Sequence, residues 1–398
     1  MKYTFKDICT KIGSGATPTG GKEAYKGGDY ALVRSQNVLD YTFTTSGLAY
    51  INETQAKKLD GVKVESGDVL LNITGDSVAR ACIIPDEILP ARVNQHVAII
   101  RANNQYALNE YLLYFLQYNK QYLLSISQGG GTRSAITKKM IEDIEIDLPS
   151  IEDQLAIVNI INTISKKIEV NQQINDNLEQ QLKLLYRSWF IENKHPDSKE
   201  VCLSEIIYFQ EGPGIRNWQY VEKDGIKFIN IRCIEGGDIN LTTANMISEE
   251  EANGKYAHFM LKPFDIIMSC SGTLGRYAIV RKEHLPLCLN TSVIRFSPNR
   301  SESDYSYIYG YLASEEFLNK QVEMACGSVQ ANFGPTHLKQ IKIIAPPIDY
   351  CKSYHTAAMP IISKILENRR EIQHLGKLRD TLLPKLMSGE LKINEIDC

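Results

Sequence analysis

The stretch of sequence that decides the fold runs from residue 157 to residue 189 and reads IVNIINTISKKIEVNQQINDNLEQQLKLLYRSW. Apolar residues and two asparagines recur in it at alternating steps of four and three, the a/d spacing of a helix that packs along another helix. The positions of this first seam are Ile157, Ile161, Ile164, Ile168, Asn171, Asn175, Leu178, Leu182, Leu185 and Trp189. The spacing predicts a long helix with one continuous buried face.

A second seam follows 197 residues later in the same register. Its positions are Tyr354, Ala358, Ile361, Ile365, Asn368, Ile372, Leu375, Arg379, Leu382 and Leu386. Two such helices in one chain can bury each other, or each can pack on its own globular neighbour. Asn171 and Asn368 occupy equivalent positions, where a polar residue typically fixes the register of a coiled coil. If a two-fold axis relates the repeats, the helices run antiparallel and Asn175 lies near Asn368.

The sequence before each seam repeats as well, at an offset of 196–197 residues. The matched pairs are Asp68 with Asp265, Gly75 with Gly272, Arg80 with Arg276, and Asn94 with Asn290. Short β-rich runs, such as 30–33 and 227–231, alternate with turns, and one helix is predicted near 108–124 and another near 304–323. Each copy is therefore predicted to be a compact α+β domain.

These patterns predict the organisation of the whole chain. Its 398 residues suit two ordinary domains plus connecting elements. We expect globular domains at 1–150 and 196–348 and long helices at 151–195 and 349–398. The predicted fold class is α+β, with two similar globular domains separated by two long helices that form an antiparallel, pseudo-two-fold symmetric intramolecular coiled coil.

Composition excludes several classes of protein. With 43% hydrophobic and 23% charged residues, the chain is typical of a globular protein and unlike a fibrous or disordered one. No apolar run approaches the ~20 residues of a membrane helix, and no signal peptide is visible, so a cytoplasmic protein without membrane contact is expected. The nine cysteines lack metal-site spacing, so neither a metal site nor a disulfide framework is expected.

The helix length points to DNA as a target. A seam from 157 to 189 is about 50 Å long at ~1.5 Å per residue, and two DNA readers meet the same face of a duplex roughly 34–36 Å apart. Two domains on such a helix suit a split target, whose halves should differ because the loops of the copies differ. The net charge of −3 is unusual for a DNA-binding chain, so a partner is expected to supply part of the phosphate contact.

Three segments carry a family resemblance. They are LPSIEDQ at 148–154, LYRSWF at 185–190 and LLPKLMSGEL at 382–391. With these segments the chain resembles the specificity subunits of type I restriction-modification systems, the HsdS family. The second copy departs from the pattern at 347–351. There PIDYC lacks the glutamate and glutamine that stand at 152 and 154, at the start of the first helix.

The resemblance implies a non-catalytic, DNA-binding subunit within a larger enzyme. Each globular copy would be a target-recognition domain that reads one half of a bipartite, asymmetric site in double-stranded DNA. The helices would set the spacing and dock two modification (methyltransferase) subunits, joined by ATP-dependent restriction subunits. The chain itself would carry no catalytic residue and bind no cofactor, with S-adenosylmethionine, ATP and Mg expected on the partner subunits.

Candidate DNA-reading residues lie on loops of both copies and beside Trp218, because base edges are read by Arg, Asn, Gln, Ser and Thr side chains. The candidates in the first copy are Arg34, Gln36, Asn37, Ser77, Arg80, Gln95, Thr132, Arg133 and Ser134. Those in the second copy are Arg216, Asn217, Arg232, Thr273, Arg276, Ser328, Gln330 and Asn332. The glycine-rich loops near 131 and 327 are favoured, since glycine lets backbone approach phosphate; ordinary flexible turns are the alternative.

Other conspicuous residues are better explained by structure. Asp68 and Asp265 are expected to stabilise turns before buried strands. Residues shared by the copies, such as Arg80 and Asn94, are expected to contact the DNA backbone or support the fold, while copy-specific residues carry specificity. Trp218 is interpreted as a core anchor rather than an exposed recognition-loop aromatic, and 189–190 as packing between helix and domain.

Two other functions share parts of this pattern. A DNA methyltransferase with its own recognition domain would need a Phe-x-Gly-x-Gly cofactor loop and an Asn/Asp-Pro-Pro-aromatic motif, and the sequence shows neither. The segment 15–23 resembles a phosphate-binding loop, but its spacing is wrong by one and Glu23 stands where Ser or Thr is required. A coiled-coil scaffold that binds only proteins shares the architecture and lacks only the DNA-binding role.

Overall fold

A computed structural model describes residues 2–18, 25, 27–128, 135–325 and 333–391. The chain divides into two compact units. Unit 1 comprises Met1–Lys167 together with His374–Cys398, and unit 2 comprises Ile168–Gln373. Each unit therefore contains one globular copy and a segment of each long helix.

The first half of the chain supplies sixteen of the elements. They are β1 (Lys2–Thr4), α1 (Phe5–Ile8), β2 (Cys9–Ser14), β3 (Tyr30–Val33), β4 (Ala49–Ile51), α2 (Glu53–Lys58), β5 (Lys63–Val64), β6 (Val69–Asn72), β7 (Ala81–Ile83), β8 (Ala91–Val93), β9 (Val97–Ala102), α3 (Asn109–Tyr118), α4 (Lys120–Ser127), α5 (Lys138–Glu142), β10 (Glu145–Asp147) and α6 (Ile151–Arg187).

The second half of the chain supplies the other described helices and strands. They are β11 (Lys199–Cys202), α7 (Leu203–Ile206), β12 (Ile207–Glu211), β13 (Tyr220–Val221), β14 (Gly225–Ile229), β15 (Ile234–Glu235), β16 (Asp238–Ile239), β17 (Asn245–Ser248), α8 (Glu249–Asn253), β18 (Ile266–Ser269), β19 (Tyr277–Ile279), β20 (Leu287–Leu289), β21 (Val293–Pro298), α9 (Tyr305–Leu312), α10 (Glu315–Ala325), α11 (Pro335–Leu338), β22 (Lys342–Ala345) and α12 (Ile348–Ser388).

The central sheet has the same topology in both units. Its order is β2-β9-β6-β7 in unit 1 and β12-β21-β18-β19 in unit 2, and neighbouring strands are antiparallel. A second sheet has the order β4-β3-β8-β5 in unit 1 and β13-β17-β14-β20 in unit 2. The parallel pairs β3-β8 and β14-β20 are equivalent, while the edge strands differ. The internal repeat inferred from the sequence is confirmed.

The central sheet of unit 1 is buried on both faces. Val69 and Leu71 contribute to a core that also includes Ile157 of α6 and Leu383 of α12. Leu70 points to the opposite face and packs in a separate core with the second sheet. A strand buried on both sides reads as a continuous apolar run, which explains the segment VLL at 69–71. In unit 2, Ile266 and Ile267 divide between two cores in the same way.

The long helices form their seam as the heptad spacing predicts. None of the twenty seam residues is exposed. Within unit 2 the helix segments run antiparallel, because Asn171 Nδ2 donates to Glu371 Oε2 at 2.8 Å while Asn175 Nδ2 donates to the Ile365 carbonyl at 3.3 Å. Asn368 Nδ2 donates to Asn175 Oδ1 at 2.9 Å. The predicted pairing of Asn175 with Asn368 is confirmed.

The helices also pack on the globular domains, so both kinds of burial occur. In unit 2, Tyr186 of α6 stacks on Tyr307 of α9 with ring centroids 5.9 Å apart. Gly310 makes this approach possible, since a Cβ there would lie 2.5 Å from Tyr186 Cδ2. Phe190 packs edge-on against Tyr307 at 4.6 Å, and Trp189 contacts Tyr350 at 4.9 Å. The interpretation of residues 189–190 as packing between helix and domain is confirmed.

The two long helices start on different contacts. Gln154, in the segment that carries the family resemblance, is buried; its Oε1 accepts from the Leu108 amide at 3.0 Å and its Nε2 donates to the Tyr106 carbonyl at 3.0 Å. Cys351 stands at the equivalent position in unit 2. There Arg300 donates from Nη1 to the Pro346 carbonyl at 2.8 Å, with Nη2 3.5 Å from Cys351 Sγ. A guanidinium thus replaces the missing amide.

The prediction of one helix near 108–124 and one near 304–323 is wrong in detail, because each is two helices. Asn119 ends α3 and precedes α4, with its Nδ2 donating back to the Phe115 carbonyl at 2.9 Å. Ser314 separates α9 from α10, and its hydroxyl accepts from the Phe317 amide at 3.2 Å. Short polar side chains at such positions satisfy the free backbone groups of a helix end.

Candidate nucleic-acid interface

The candidate segments of unit 1 converge on one edge of the central sheet, where β2 and β6 end and β9 begins. Asn72, at the end of β6, donates from Nδ2 to the Ser35 carbonyl at 2.9 Å. Thr74 Oγ1 lies 2.6 Å from His96 Nδ1 and forms a bridge with Ala135, the residue that follows the first glycine-rich loop. Segments far apart in sequence thus form one surface, here called reading edge 1 and made of residues 34–37, 74–80 and 94–96.

Unit 2 assembles the equivalent surface with different contacts. The Ser292 hydroxyl accepts from the Ile231 amide at 3.2 Å, and the Cys270 amide donates to the Ser292 carbonyl at 3.0 Å. The Phe333 amide, which follows the second glycine-rich loop, donates to the Cys270 carbonyl at 2.7 Å. Thr291 Oγ1 also donates to Glu211 Oε1 at 3.3 Å, which brings the start of the segment 211–219 to this surface. Reading edge 2 therefore comprises residues 211–219, 230–232, 270–276 and 290–292.

The favoured loops themselves lie outside the described residues. This applies to Thr132, Arg133 and Ser134 in unit 1 and to Ser328, Gln330 and Asn332 in unit 2. Their predicted role in DNA reading stays a prediction. The residues that flank both loops, Ala135 and Phe333, belong to the respective edges.

In each unit one glycine lets the end of the first strand of the central sheet, β2 or β12, lie directly against the turn that precedes β9 or β21. A Cβ at Gly15 would lie 1.7 Å from the Val93 carbonyl oxygen, and one at Gly212 would lie 2.5 Å from the Asn290 carbonyl carbon. Contacts this short exclude any larger residue. The end of β2 or β12 is therefore fixed beside the turn that carries Gln95 in unit 1 or Thr291 in unit 2.

The candidates of unit 1 differ in their access to solvent. Gln36 and Gln95 are exposed, and Arg34, Ser77 and Arg80 are half-buried. Asn37 is fully buried. Its Oδ1 accepts from the Arg34 amide at 3.1 Å, and its Nδ2 donates to the Thr44 carbonyl at 3.0 Å. The amide of Asn37 therefore bonds only to main-chain groups and stabilises the turn from inside. Reading a base would require it to face solvent, so the structure does not support Asn37 as a DNA-reading residue.

Unit 2 presents more exposed charge at its edge. Arg216, Asn217, Arg232, Thr273 and Arg276 are all exposed. Arg276 reaches the Ile234 carbonyl with Nη1 at 3.5 Å, which holds its guanidinium beside β15. Basic residues on an exposed edge suit contact with DNA phosphates or with guanine.

The interpretation of Trp218 as a core anchor is wrong. The side chain is 80% exposed on a short 3-10 turn, Asn217–Gln219. The turn is held by Gln219, whose Nε2 donates to Glu251 Oε1 at 2.8 Å and to Tyr256 Oη at 3.2 Å. The half-buried Gln219 thus makes the anchoring contacts of the turn, which leaves the indole of Trp218 in solvent.

The residues shared by the copies support the fold. Asp68 is fully buried and pairs with Arg101 Nε at 2.7 Å, and Asp265 Oδ2 accepts from the Lys262 amide at 2.7 Å. Asn94 Oδ1 accepts from the His96 amide at 2.9 Å, and Asn290 Oδ1 from the Ser292 amide at 3.0 Å. The structural interpretation of both aspartates is confirmed, and the asparagines form the same turn twice.

Sequence reasoning missed one residue of reading edge 2. Glu211 ends β12 and is half-buried, and its Oε1 accepts from Thr291 Oγ1 at 3.3 Å. Burial raises the pKa of this carboxyl above its ordinary value, although the hydrogen bond from Thr291 opposes the shift. The repeat itself could have identified Glu211, because Ser14 occupies the equivalent position of β2 and residues that differ between the copies are expected to carry specificity.

The described part of the chain offers neither a metal-binding cluster nor a membrane-spanning helix. Residues 2–18, 25, 27–128, 135–325 and 333–391 contain no group of three or more His, Cys, Asp or Glu side chains placed to hold a metal ion. No helix within the same ranges is long and apolar enough to span a membrane.

Comparison with known proteins accounts for the repeated architecture. The family model described as the type I restriction modification DNA specificity domain matches the chain twice, over residues 1–180 and 196–369. The chain belongs to this family. The prediction that it is a DNA specificity subunit of a type I restriction-modification system is confirmed, as is the α+β fold with two similar domains and long helices.

Relatives in this family are similar over nearly the whole chain. The specificity subunit of the type I restriction enzyme MjaIX from Methanocaldococcus jannaschii is 26% identical over 415 residues, covering 98% of this chain and 93% of that protein. The specificity subunit of the enzyme HindI from Haemophilus influenzae is 21% identical over 439 residues, covering 90% and 94%. The crystal structure of the S subunit from M. genitalium shares the fold, with a TM-score of 0.54 and 16% identity over 97% and 95% of the two chains.

Proposed function

We propose that the chain reads a bipartite, asymmetric DNA sequence, with one half-site recognised by each unit. The single observation that carries this proposal is the convergence of equivalent segments on the same edge of the same sheet in both units. Loops held by a rigid scaffold are the usual place for recognition residues. The scaffold contacts recur at both edges, while the exposed side chains differ.

The exposed residues favour different bases in the two half-sites. Reading edge 1 exposes Gln36 and Gln95, and glutamine pairs with adenine in the major groove. Both amides also bond to neighbours, since Gln36 Nε2 donates to the Gly47 carbonyl at 3.2 Å and Gln95 Oε1 accepts from Thr17 Oγ1 at 2.5 Å, so a base would use their remaining donor and acceptor sites. Reading edge 2 offers Arg216 and Arg232, which have no arginine counterpart at the equivalent positions of unit 1, and arginine is the commonest partner of guanine. Two unlike half-sites follow from these inventories, so the site is not palindromic.

The long helices serve in this proposal as the spacer and as the docking element for two modification subunits. α6 contains 37 residues, which is about 55 Å at ~1.5 Å per residue. The asparagine pair in the seam fixes the register of the helices within unit 2. The number of unspecified base pairs between the half-sites then depends on helix length and not on loop sequence.

The chemistry is assigned in this proposal to partner subunits. The modification subunits would bind S-adenosylmethionine and methylate the DNA, and restriction subunits would use ATP and Mg, while this chain supplies no catalytic residue. Its net charge of −3 supports the division of labour, because phosphate binding by the complex draws on basic residues that the partners contribute.

The decisive experiment expresses the chain with its modification subunits and maps methylated positions across a genome. We expect one split sequence, and exchanging residues 1–150 for those of a relative should change one half-site only. A change in both halves would contradict the assignment of one half-site to each unit. An intact complex that methylates without sequence preference would favour the protein-binding scaffold instead.

A further inference from the structure

Glu211 lies where three parts of reading edge 2 meet. It is the last residue of β12, and Thr291 of the neighbouring turn donates to its Oε1 at 3.3 Å. Gly212 seats the following backbone against Asn290. On the third side, Gly334 follows the second glycine-rich loop, and a Cβ there would lie 3.5 Å from Glu211 Oε2. The carboxylate is thus held in place by the fold.

The negative charge of Glu211 has no cationic partner among the residues that the structure describes. Within the described ranges no lysine, arginine or histidine forms an ion pair with it, and burial raises its pKa. A partly desolvated carboxylate without a cation is unfavourable. The fold does not need it, because unit 1 builds the same strand end with Ser14.

Contact with the DNA backbone does not explain this residue either, since a carboxylate repels phosphate. An ionised carboxylate only accepts hydrogen bonds. In the major groove the donors are the exocyclic amino groups, N4 of cytosine and N6 of adenine, whereas guanine N7 and O6 and thymine O4 are acceptors. A fixed acceptor at the edge therefore attracts two bases and repels the other two.

We infer that Glu211 accepts a hydrogen bond from the exocyclic amino group of a cytosine or an adenine in the half-site read by unit 2. This inference rests on the proposed function. Glu211 is then a specificity-determining residue of one half-site, and Thr291 is a positioning residue that orients its carboxylate. The equivalent serine of unit 1 imposes no such preference, because a hydroxyl both donates and accepts.

The test uses the complex of the full chain with its modification subunits. Glu211→Gln keeps the size of the side chain and adds an amide donor, and Glu211→Ser installs the residue of unit 1. Glu302→Gln is the matched control. Glu211 lies beside the start of β21, whereas Glu302 is exposed and comes after the end of that strand. Methylated sites are sequenced, and binding is measured to duplexes that carry each base in turn along the unit 2 half-site.

We expect the wild-type complex to require cytosine or adenine at one position, and the duplex series identifies which of the two. In Glu211→Ser the discrimination at that position should fall roughly ten-fold or more, with the other half-site and the control unchanged. Glu211→Gln should lose the preference to the same extent if the base is cytosine and should retain it if the base is adenine, because glutamine pairs with adenine. Thermal unfolding of each variant identifies any loss of fold, and the serine variant keeps a side chain that this strand end already accommodates in unit 1.

Two results would overturn the inference while leaving the proposed function intact. One is an unchanged recognition sequence in both variants of a wild-type complex that does read a split site. The other is an equal loss of binding to every duplex together with a lower unfolding temperature, which assigns Glu211 a structural role. A wild-type complex without any split site would instead contradict the proposed function itself.

Discussion

Reading edges 1 and 2 stand on the same strands and differ in the side chains that the strands present. In each unit a glycine, Gly15 or Gly212, lies against the turn that follows strand β8 or β20 of the second sheet. The preceding residue is Ser14 in one unit and Glu211 in the other. The difference teaches that the shared fold fixes where the residue at the end of this strand stands, and the local sequence decides its charge and hydrogen-bonding capacity.

The units also differ in how they hold the long helices. Unit 2 uses aromatic rings, with Phe190 packed against Tyr307 and Tyr354, whereas unit 1 uses aliphatic residues such as Leu383 and Leu386. Both tryptophans, Trp189 and Trp218, belong to unit 2. Tryptophan fluorescence therefore reports on unit 2 alone, which allows the two halves of the comparison to be separated by experiment.

The largest expected effect is on the aromatic contact of unit 2. Phe190→Ala should lower the free energy of unfolding by about 3–5 kcal/mol, because it leaves a cavity among packed rings. Denaturant unfolding followed by tryptophan fluorescence measures it. Met387→Ala is the matched change in unit 1, where the side chain is half-buried. A fluorescence midpoint lowered as much by the methionine variant would show that the aromatic contact is not special to unit 2.

Acid should destabilise unit 2 through His284. Burial, together with Arg281, lowers the pKa of this histidine to about 4, and its Nδ1 accepts from the Arg281 amide at 3.2 Å. The unfolded chain, with a histidine pKa near 6.5, takes up the proton first. Stability should therefore be complete above pH 6.5 and fall by on the order of 3 kcal/mol as the pH drops towards 4.

The measurement is the fluorescence midpoint as a function of pH, compared with that of His284→Gln. Glu283, whose pKa is lowered from 4.5 to about 2 mainly by its hydrogen bond from Arg370, contributes stability that is lost as the pH falls from about 4.5 towards 2, so it enters only at the acid end of this window. Wild type and variant should differ in slope between pH 6.5 and 4. Parallel curves would assign the acid sensitivity to other groups.

An intermediate effect is expected in the seam of unit 2. Asn175→Ala removes the acceptor of the buried Asn368 amide, and an unsatisfied buried donor costs about 1–3 kcal/mol. Ile161→Val in the apolar seam of unit 1 is the comparison, with about 0.5–1.5 kcal/mol expected. Fluorescence should detect the first change and circular dichroism both. If Asn175→Ala leaves the fluorescence transition unmoved, the asparagine pair does not stabilise the helices.

The smallest effect on stability is expected at Trp218, because its side chain is 80% exposed. Trp218→Ala should leave the unfolding transition unchanged and weaken binding of the complex to its DNA about ten-fold, which is 1.4 kcal/mol. Tyr50→Ala, at an exposed aromatic on β4 of unit 1, should leave binding unchanged. Equal affinity of the tryptophan variant and wild type would remove Trp218 from reading edge 2.

Periodicity and repetition explain why so much of the fold is predictable. Seam residues must face inward every three or four positions, so their spacing alone identifies the long helices, and symmetry then pairs Asn175 with Asn368. The helix breaks were also legible, since Asn119 and Ser314 are good helix-capping residue types. Apolar residues continue on both sides of each break, so periodicity alone does not reveal it.

The candidate interface was less predictable, for two physical reasons. The type of a residue does not tell whether its polar atoms are free, and Asn37 uses its amide on main-chain groups inside the turn. Exposure depends on neighbours distant in sequence, and Trp218 is left in solvent because Gln219 makes the anchoring contacts to Glu251 and Tyr256. Glu211 is absent from the candidates because they comprise the base-reading residue types Arg, Asn, Gln, Ser and Thr, a set that omits carboxylates.

The composition of the two units has a consequence for biosynthesis. Unit 2 is one continuous stretch, Ile168–Gln373, whereas unit 1 also needs residues after 373. Leu383 and Leu386 complete the core of unit 1, yet the ribosome adds them after every residue of unit 2. Unit 1, which begins to emerge first from the ribosome, is thus the last to be completed. A premature stop shortly after 373 would leave unit 2 intact and expose the core of unit 1.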